Sequence, residues 1–316
     1  VSTLQLYTHY ELQIPNQYST AILKSGNYLL SIFNSDDELI FSRKFMIYDP
    51  QVTVGVEVLR TRNLEFIEEK QVVNFNVDSG ENILINPEET VKPLIIQNND
   101  LKRSVGNIPP QYSIGNLLQY RYDDETSFYA GNEFFDYDNK DIRAATNRVQ
   151  YIELLKLYHN YLYGNNTRKD AVYTYNPDLN GNFQINTIQG DQPKVNAEYA
   201  WIHFSLDHPQ RPEDEEIHLY GNFNNFVIED ATKLQFNPEN QRYELPILLK
   251  QGYYNYRYVV VKDGKMLKYN PVDGDFWQTE NVYDVLVYYR APGSRYDELI
   301  GRGNALSTSI SNVRRD

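Results

Sequence analysis

Two segments of this chain alternate apolar side chains with polar or small ones at every second residue. Val52, Val54, Val56 and Val58 fall on one side of an extended segment, and further on Val73, Phe75 and Val77 interleave with Asn74 and Asn76. Successive side chains of a strand point to opposite faces, so this period builds sheets with one apolar face and cannot line a helix. Composition points the same way. The chain has 28 Tyr and 14 Phe in 316 residues, and aromatic side chains favour pleated, half-buried surfaces. One stretch, 149–163, is ambiguous, because Tyr151, Leu154, Leu155, Tyr158 and Leu162 would also fit a helical face. Its β-branched and aromatic context favours strands. The expected class is all-β.

Turn signals divide the strands into three blocks and a tail. In residues 1–48, strands are expected at 4–14, 28–33 and 39–48, with Ser25-Gly26-Asn27 and Asn34-Ser35-Asp36-Asp37 between them. Three strands need a partner layer to cover their apolar face, so this block reads as the C-terminal part of a first β-sandwich domain. Asp49-Pro50 opens a second β-rich domain, 49–192. Its strands are expected around 52–58, 73–77, 94–97, 117–122 and 133–137, with a hairpin of 173–175 and 183–185 closed by Asn176-Pro177-Asp178-Leu179-Asn180-Gly181. A linker at 190–196 leads to a third domain, 193–292. Evenly spaced strands at 199–206, 217–220, 232–236, 243–249, 253–261 and 282–289 predict an immunoglobulin-like sandwich there. The tail, 293–316, is rich in Gly, Ser and Arg and is expected to be extended or poorly ordered. Tandem β-sandwiches are thus the expected architecture.

Charge and cysteine content exclude several functions. Against 30 Lys and Arg stand 43 Asp and Glu, a formal net charge of −13. Such a chain repels phosphate backbones and gains nothing from anionic lipid, which disfavours nucleic acid and electrostatic membrane docking. With no cysteine, disulfides, thiolate metal sites and cysteine nucleophiles are absent. The longest apolar runs, such as 282–289, are strand-sized, so no direct membrane insertion by a helix is expected. The chain opens on Val1 without a signal peptide, which reads as a processed or truncated product.

Motifs for catalysis are sparse. There is no Gly-x-Ser-x-Gly elbow, phosphate-cradling loop, dinucleotide fingerprint or His-Glu-x-x-His run. His203 and His218 fall in predicted strands and could meet across a sheet as a metal pair; the plainer reading makes each an ordinary strand residue. Carboxylates cluster at Asp36-Asp37-Glu38, Asp123-Asp124-Glu125 and Glu213-Asp214-Glu215-Glu216, at turns and edges where solvated charge deters aggregation. Asp178-Leu179-Asn180-Gly181-Asn182 places oxygens at alternate positions, but Phe183 and Gln189 stand where a calcium loop needs Gly and Glu, so a tight Asn-Gly turn is the better account. A loose calcium site at Asp136, Asp138 and Asp141 is the remaining metal candidate. The expectation is a non-enzyme without metal or cofactor.

Two resemblances sharpen this reading. Ile217-His218-Leu219-Tyr220-Gly221-Asn222-Phe223-Asn224-Asn225-Phe226, with the later Gly252-Tyr253-Tyr254-Asn255-Tyr256, resembles early-set, glycogen-binding-type modules. In this reading Gly252 occupies a tight turn and the alternate aromatics after it pack on one sheet face. The resemblance supplies an alternative function, a carbohydrate-binding or polysaccharide-handling protein, whose surface would be Phe223, Phe226 and Trp277. Because Phe226 replaces the usual Trp, a structural role is the stronger reading; an unrecognised glycan-active enzyme is a third.

The wider resemblance runs through nearly the whole chain. Ser25-Gly26-Asn27-Tyr28-Leu29-Leu30 and Arg43-Lys44-Phe45-Met46, then Gly131-Asn132-Glu133-Phe134-Phe135-Asp136, Asp178-Leu179-Asn180-Gly181, Leu249-Lys250-Gln251-Gly252-Tyr253-Tyr254 and Pro292-Gly293-Ser294-Arg295-Tyr296 resemble, in the same order, segments of type IX secretion system plug proteins. The family's N-terminal half-domain has no counterpart here. The resemblance implies a monomeric periplasmic protein, peripheral to the outer membrane, that binds the periplasmic mouth of an outer-membrane β-barrel translocon and seals its pore. It marks no interface residue.

Overall fold

A computed structural model describes residues 3–146 and 148–310. The described chain is almost entirely strand, with only single helical turns such as Pro87–Thr90 and Pro193–Asn196. It forms two compact units: the first holds Val1–Glu11 and Tyr129–Glu280, the second Leu12–Phe128 and Asn281–Asp316.

In the second unit, one sheet runs Glu298–Leu306, Val282–Tyr289, Val91–Gln97, Asp100–Gly106. The other contains Thr53–Arg60, Lys70–Asp78, Leu117–Tyr120 and Tyr112–Ile114. The alternating valines meet the opposite sheet as their period requires: Val58, Val73, Phe75 and Val77 share one core with Ile95, Tyr283, Val285 and Val287. The Gly26–Phe33/Leu39–Ile47 hairpin packs Met46 beside Leu286 and Tyr288, and the Tyr288 hydroxyl donates to Asn27 Oδ1 at 2.8 Å.

In the first unit, a sheet runs Val149–Leu154, Tyr158–Leu162, Tyr199–Asp207, Arg242–Lys250, Gln235–Asn237, its second and third strands parallel. Opposite it lies the long strand Gly252–Lys262. Phe135–Asp138 and Phe183–Ile185 pair with its first half and Glu215–Tyr220 with its second. Tyr137, Ile202, Phe204, Leu219, Tyr254, Tyr256 and Tyr258 fill the space between. The ambiguous stretch 149–163 is thus a strand hairpin.

This connectivity corrects the expected boundaries. The 192/193 division falls inside the first unit, since strands from 135–185 pair with Gly252–Lys262. The 190–196 stretch is a tight turn rather than a linker: the Asn196 side chain accepts from Gln192 N at 2.9 Å, and a Cβ on Gly190 would collide with it. Strand Val282–Tyr289 joins Val91–Gln97 instead of closing the third domain. The tail also differs from expectation, because Glu298–Leu306 is a full strand. Its glycines mark close approach: a Cβ on Gly301 would lie 2.5 Å from Val52 Cγ2, and one on Gly303 2.5 Å from the Val54 carbonyl oxygen. Residues 311–316 of that tail lie outside the described residues. Neither 4–14 nor 173–175 is a strand. Around 4–7 the chain is held instead by Tyr7, whose hydroxyl donates to the Ala197 carbonyl at 2.9 Å.

Candidate functional site

Alternation decides what the first unit shows to solvent. Ala200, Ile202, Phe204 and Leu206 face the core, which sends Trp201, His203 and Ser205 outward. Asn160 and Leu162 are buried, which sends His159 and Tyr161 to the same outer face. Neighbouring strands add Tyr151, Glu153 and Glu244. The result is an aromatic ladder across three strands. Tyr151 stacks on Tyr161 with centroids 4.2 Å apart, and Tyr161 on His203 at 4.0 Å. His159 Nδ1 and His203 Nε2 share a hydrogen bond of 2.9 Å, and Trp201 lies 6.5 Å from His159. A shallow groove of about 440 Å³ runs beside it between Tyr161, His203, Arg242 and Glu244. Burial first, and the neighbouring His159 second, push the His203 pKa down. Burial first, then the Glu153 charge, push the Tyr161 hydroxyl up. Because these rings spend their faces on one another, the surface they present is ring edges and hydroxyls, suited to protein contact.

A second cluster is buried. Glu133, 1% exposed, accepts the Tyr173 hydroxyl at 2.5 Å and the Glu280 backbone N–H at 3.0 Å. Its other oxygen, Oε2, is buried without a hydrogen-bond partner. Burial outweighs those two bonds and pushes its carboxyl up to about 7. Arg168 donates to Asp273 Oδ1 at 3.2 Å and to the Glu133 carbonyl at 2.7 Å. Asp178 accepts from Phe134 N at 2.6 Å and from Asn180 N at 2.5 Å. Asn180 and Gly181 take positive φ, so this segment is the tight turn read from the sequence. Burial raises the pKa of both Asp178 and Asp273. The cluster clamps three loops together. Its central carboxylate is buried.

The residues expected for sugar binding do not form a platform. Phe226 is 4% exposed and packs 5.2 Å from Tyr220. Phe223 is half-buried against the core beneath Gly221, and Trp277 is half-buried. The Gly-x-Phe-Asn motif therefore organises a turn. His218 is not the partner of His203: it is buried, with Nδ1 3.1 Å from Thr232 Oγ1 and Nε2 3.3 Å from Glu216. Parallel pairing of Tyr158–Leu162 with Tyr199–Asp207 brings His159 to His203 instead, a pairing with no short-range signal. Asp136 and Asp138 are taken up by Arg148 and Lys140, each at 3.4 Å, and Asp141 by Gln189 at 3.0 Å. Among the described residues no three or more His, Asp or Glu converge as a metal centre. Asp214 pairs with Lys262, Glu215 with Arg211 and Glu216 with Lys233.

Comparison with known proteins supplies the remaining context. Residues 1–49 match the family model described as Type 9 secretion system plug protein 1st domain. The fold is similar to the crystal structure of a hypothetical protein from Parabacteroides merdae ATCC 43184. The TM-score is 0.88 and the identity 30%, over 93% of this chain and 75% of that one. No curated protein matches. Among the described residues no helix is long and apolar enough to cross a membrane. The matched hairpin is the Gly26–Phe33/Leu39–Ile47 pair, whose sequence and order carried the resemblance from the start. On these grounds the chain belongs to the type 9 secretion system plug protein family.

Proposed function

We propose that this protein is a non-enzymatic periplasmic plug, which binds the periplasmic mouth of the type IX outer-membrane translocon and closes its pore. The match of residues 1–49 to the plug family carries the reading. A wide barrel has a water-filled lumen that leaks small solutes unless something covers it. Covering a mouth requires area, typically about 800 Å² on each partner. The outer face of the first unit's six-stranded sheet, five strands across, supports the assignment. With strands about 4.8 Å apart and about 3.3 Å per residue, it offers a patch of roughly 19 by 30 Å, so its flanking loops complete the contact. Its Tyr edges combine apolar area with a hydroxyl at low entropic cost. The protein docks peripherally, as a monomer without metal or cofactor in its sealing role.

The test is a pull-down from detergent-solubilised outer membrane, with mass spectrometry of what is retained. A large β-barrel should be recovered, and Tyr151→Ala/Tyr161→Ala should lower its recovery by about tenfold or more, as loss of two central aromatics does. Retention of no barrel would overturn the reading. Full retention by the double variant would move the contact to another face.

A further inference from the structure

We propose that His159 and His203 form a two-ligand site for a divalent transition metal of zinc or nickel type on the outer sheet face, its other positions held by water. The distance carries the argument. Metal–imidazole bonds of about 2.0–2.1 Å, subtending 90–109°, place two ligand nitrogens about 2.9–3.4 Å apart. His159 Nδ1 and His203 Nε2 stand 2.9 Å apart, so an ion seated to one side of the line between them can reach both nitrogens once the two rings turn their lone pairs toward it and the hydrogen bond between them is given up.

The two rings are also held for the task. Both histidines lie in inner strands of the six-stranded sheet, His159 opposite Trp201 and His203 opposite Tyr161. The His203 ring is fixed against Tyr161 at 4.0 Å, so little order remains to be imposed on binding. Two carboxylates lie near the pair: Glu153 sits opposite His159 across the hairpin, and Glu153 and Glu244 act on His203 against the larger effects of burial and of His159. Imidazole pairs select zinc, nickel and copper over the oxygen-seeking magnesium and calcium. With only two protein ligands, coordination positions stay open toward solvent, as in sites that accept a further ligand from outside.

The test uses the whole chain, stripped with EDTA and titrated with ZnCl₂ by isothermal calorimetry. One ion per chain should bind. His159→Gln and His203→Gln should each weaken binding by about 100-fold, since a single imidazole lacks the chelating partner, while His208→Gln should leave it unchanged. Thermal unfolding checks that each variant folds. If one does not, imidazole nitrogen resonances of the unmutated protein decide the matter: those of His159 and His203 should shift with zinc and those of His218 should not. Absence of saturable binding, wild-type affinity in either variant, or unshifted His159 and His203 resonances would overturn the site.

Discussion

Gly252 separates two physical accounts of the first unit. As a turn residue it would need a left-handed backbone, which Asn adopts at small cost. In the structure it opens the strand Gly252–Lys262 without positive φ, opposite Ile185 of Phe183–Ile185. A Cβ there would lie 2.3 Å from the Gln184 carbonyl oxygen, 3.0 Å from Ile185 Cα and 3.1 Å from the Gln184 carbonyl carbon. All three are backbone atoms, so no rotamer change relieves the clash and the short strand must move bodily. Moving it strains its three residue pairs with Gly252–Lys262 and the stacking of Phe183 on Tyr254 at 5.3 Å. Two weakened hydrogen bonds at about 1 kcal/mol each and an aromatic pair at about 0.5–1.5 kcal/mol give a loss of roughly 2–4 kcal/mol. For a unit of this size that lowers Tm by about 5–15 °C. Differential scanning calorimetry of Gly252→Ala, Gly252→Val and Gly252→Asn should show all three shifts, with faster hydrogen exchange around 183–187. If Gly252→Asn melts with the wild type while Gly252→Val does not, the cause is backbone conformation and the packing account is wrong.

Two further outcomes follow from the same geometry. Glu133 has a folded pKa of about 7 against an ordinary 4.5, so folding favours its protonated form; the stability this adds is complete below about 4.5 and lost as pH rises through about 7. The Tm of the first unit should therefore fall between pH 5 and 8, and Glu133→Gln should flatten that slope; a variant with the wild-type slope would assign it to Asp178 and Asp273, whose pKa values are raised in the same sense. In the second unit, Gly303→Ala puts a methyl 2.5 Å from the Val54 carbonyl oxygen and should cost about 1–3 kcal/mol, read by chemical denaturation; unchanged stability would mean that the terminal strand is not packed there.

The all-β class and most strand positions were legible because they follow from a local, two-residue period. The 282–289 strand has the ends its sequence predicts, since Tyr283, Val285 and Val287 alternate with Asp284 and Leu286. What was not legible was pairing at long range. Nothing near Val282 says that its partner is Gln97-to-Val91 rather than Tyr253, because both candidates present equally apolar faces. Glycine misled for a related reason. Glycine content suggests looseness in the 293–316 tail and a turn at Gly252, whereas Gly252 and Gly303 admit another backbone, and Gly301 valine side chains, closer than a Cβ allows. The candidate site shows the same limit. Each of Tyr151, His159, Tyr161, Trp201 and His203 could be placed on a strand, but the ladder exists only because distant strands lie side by side, and the motif aromatics Phe223 and Phe226 went inward.

The order of segments carries a consequence for how the chain folds. The first unit draws almost all its core from the uninterrupted stretch Tyr129–Glu280, so its pairings close loops within one span of chain. The second unit cannot complete its central pairing until Val282–Tyr289 reaches Val91–Gln97. An open chain between them pays a closure entropy that grows with the logarithm of its length. A first unit that is already folded changes that cost, because most of the intervening residues are then fixed and the two strands are joined through a compact body instead of a coil. Val282–Tyr289 is buried on both faces, Tyr283, Val285 and Val287 on one side and Leu286 and Tyr288 on the other, and until it docks one edge of Val91–Gln97 is left unpaired. Following the first unit in sequence, the strand meets that unpaired edge once Tyr129–Glu280 has folded.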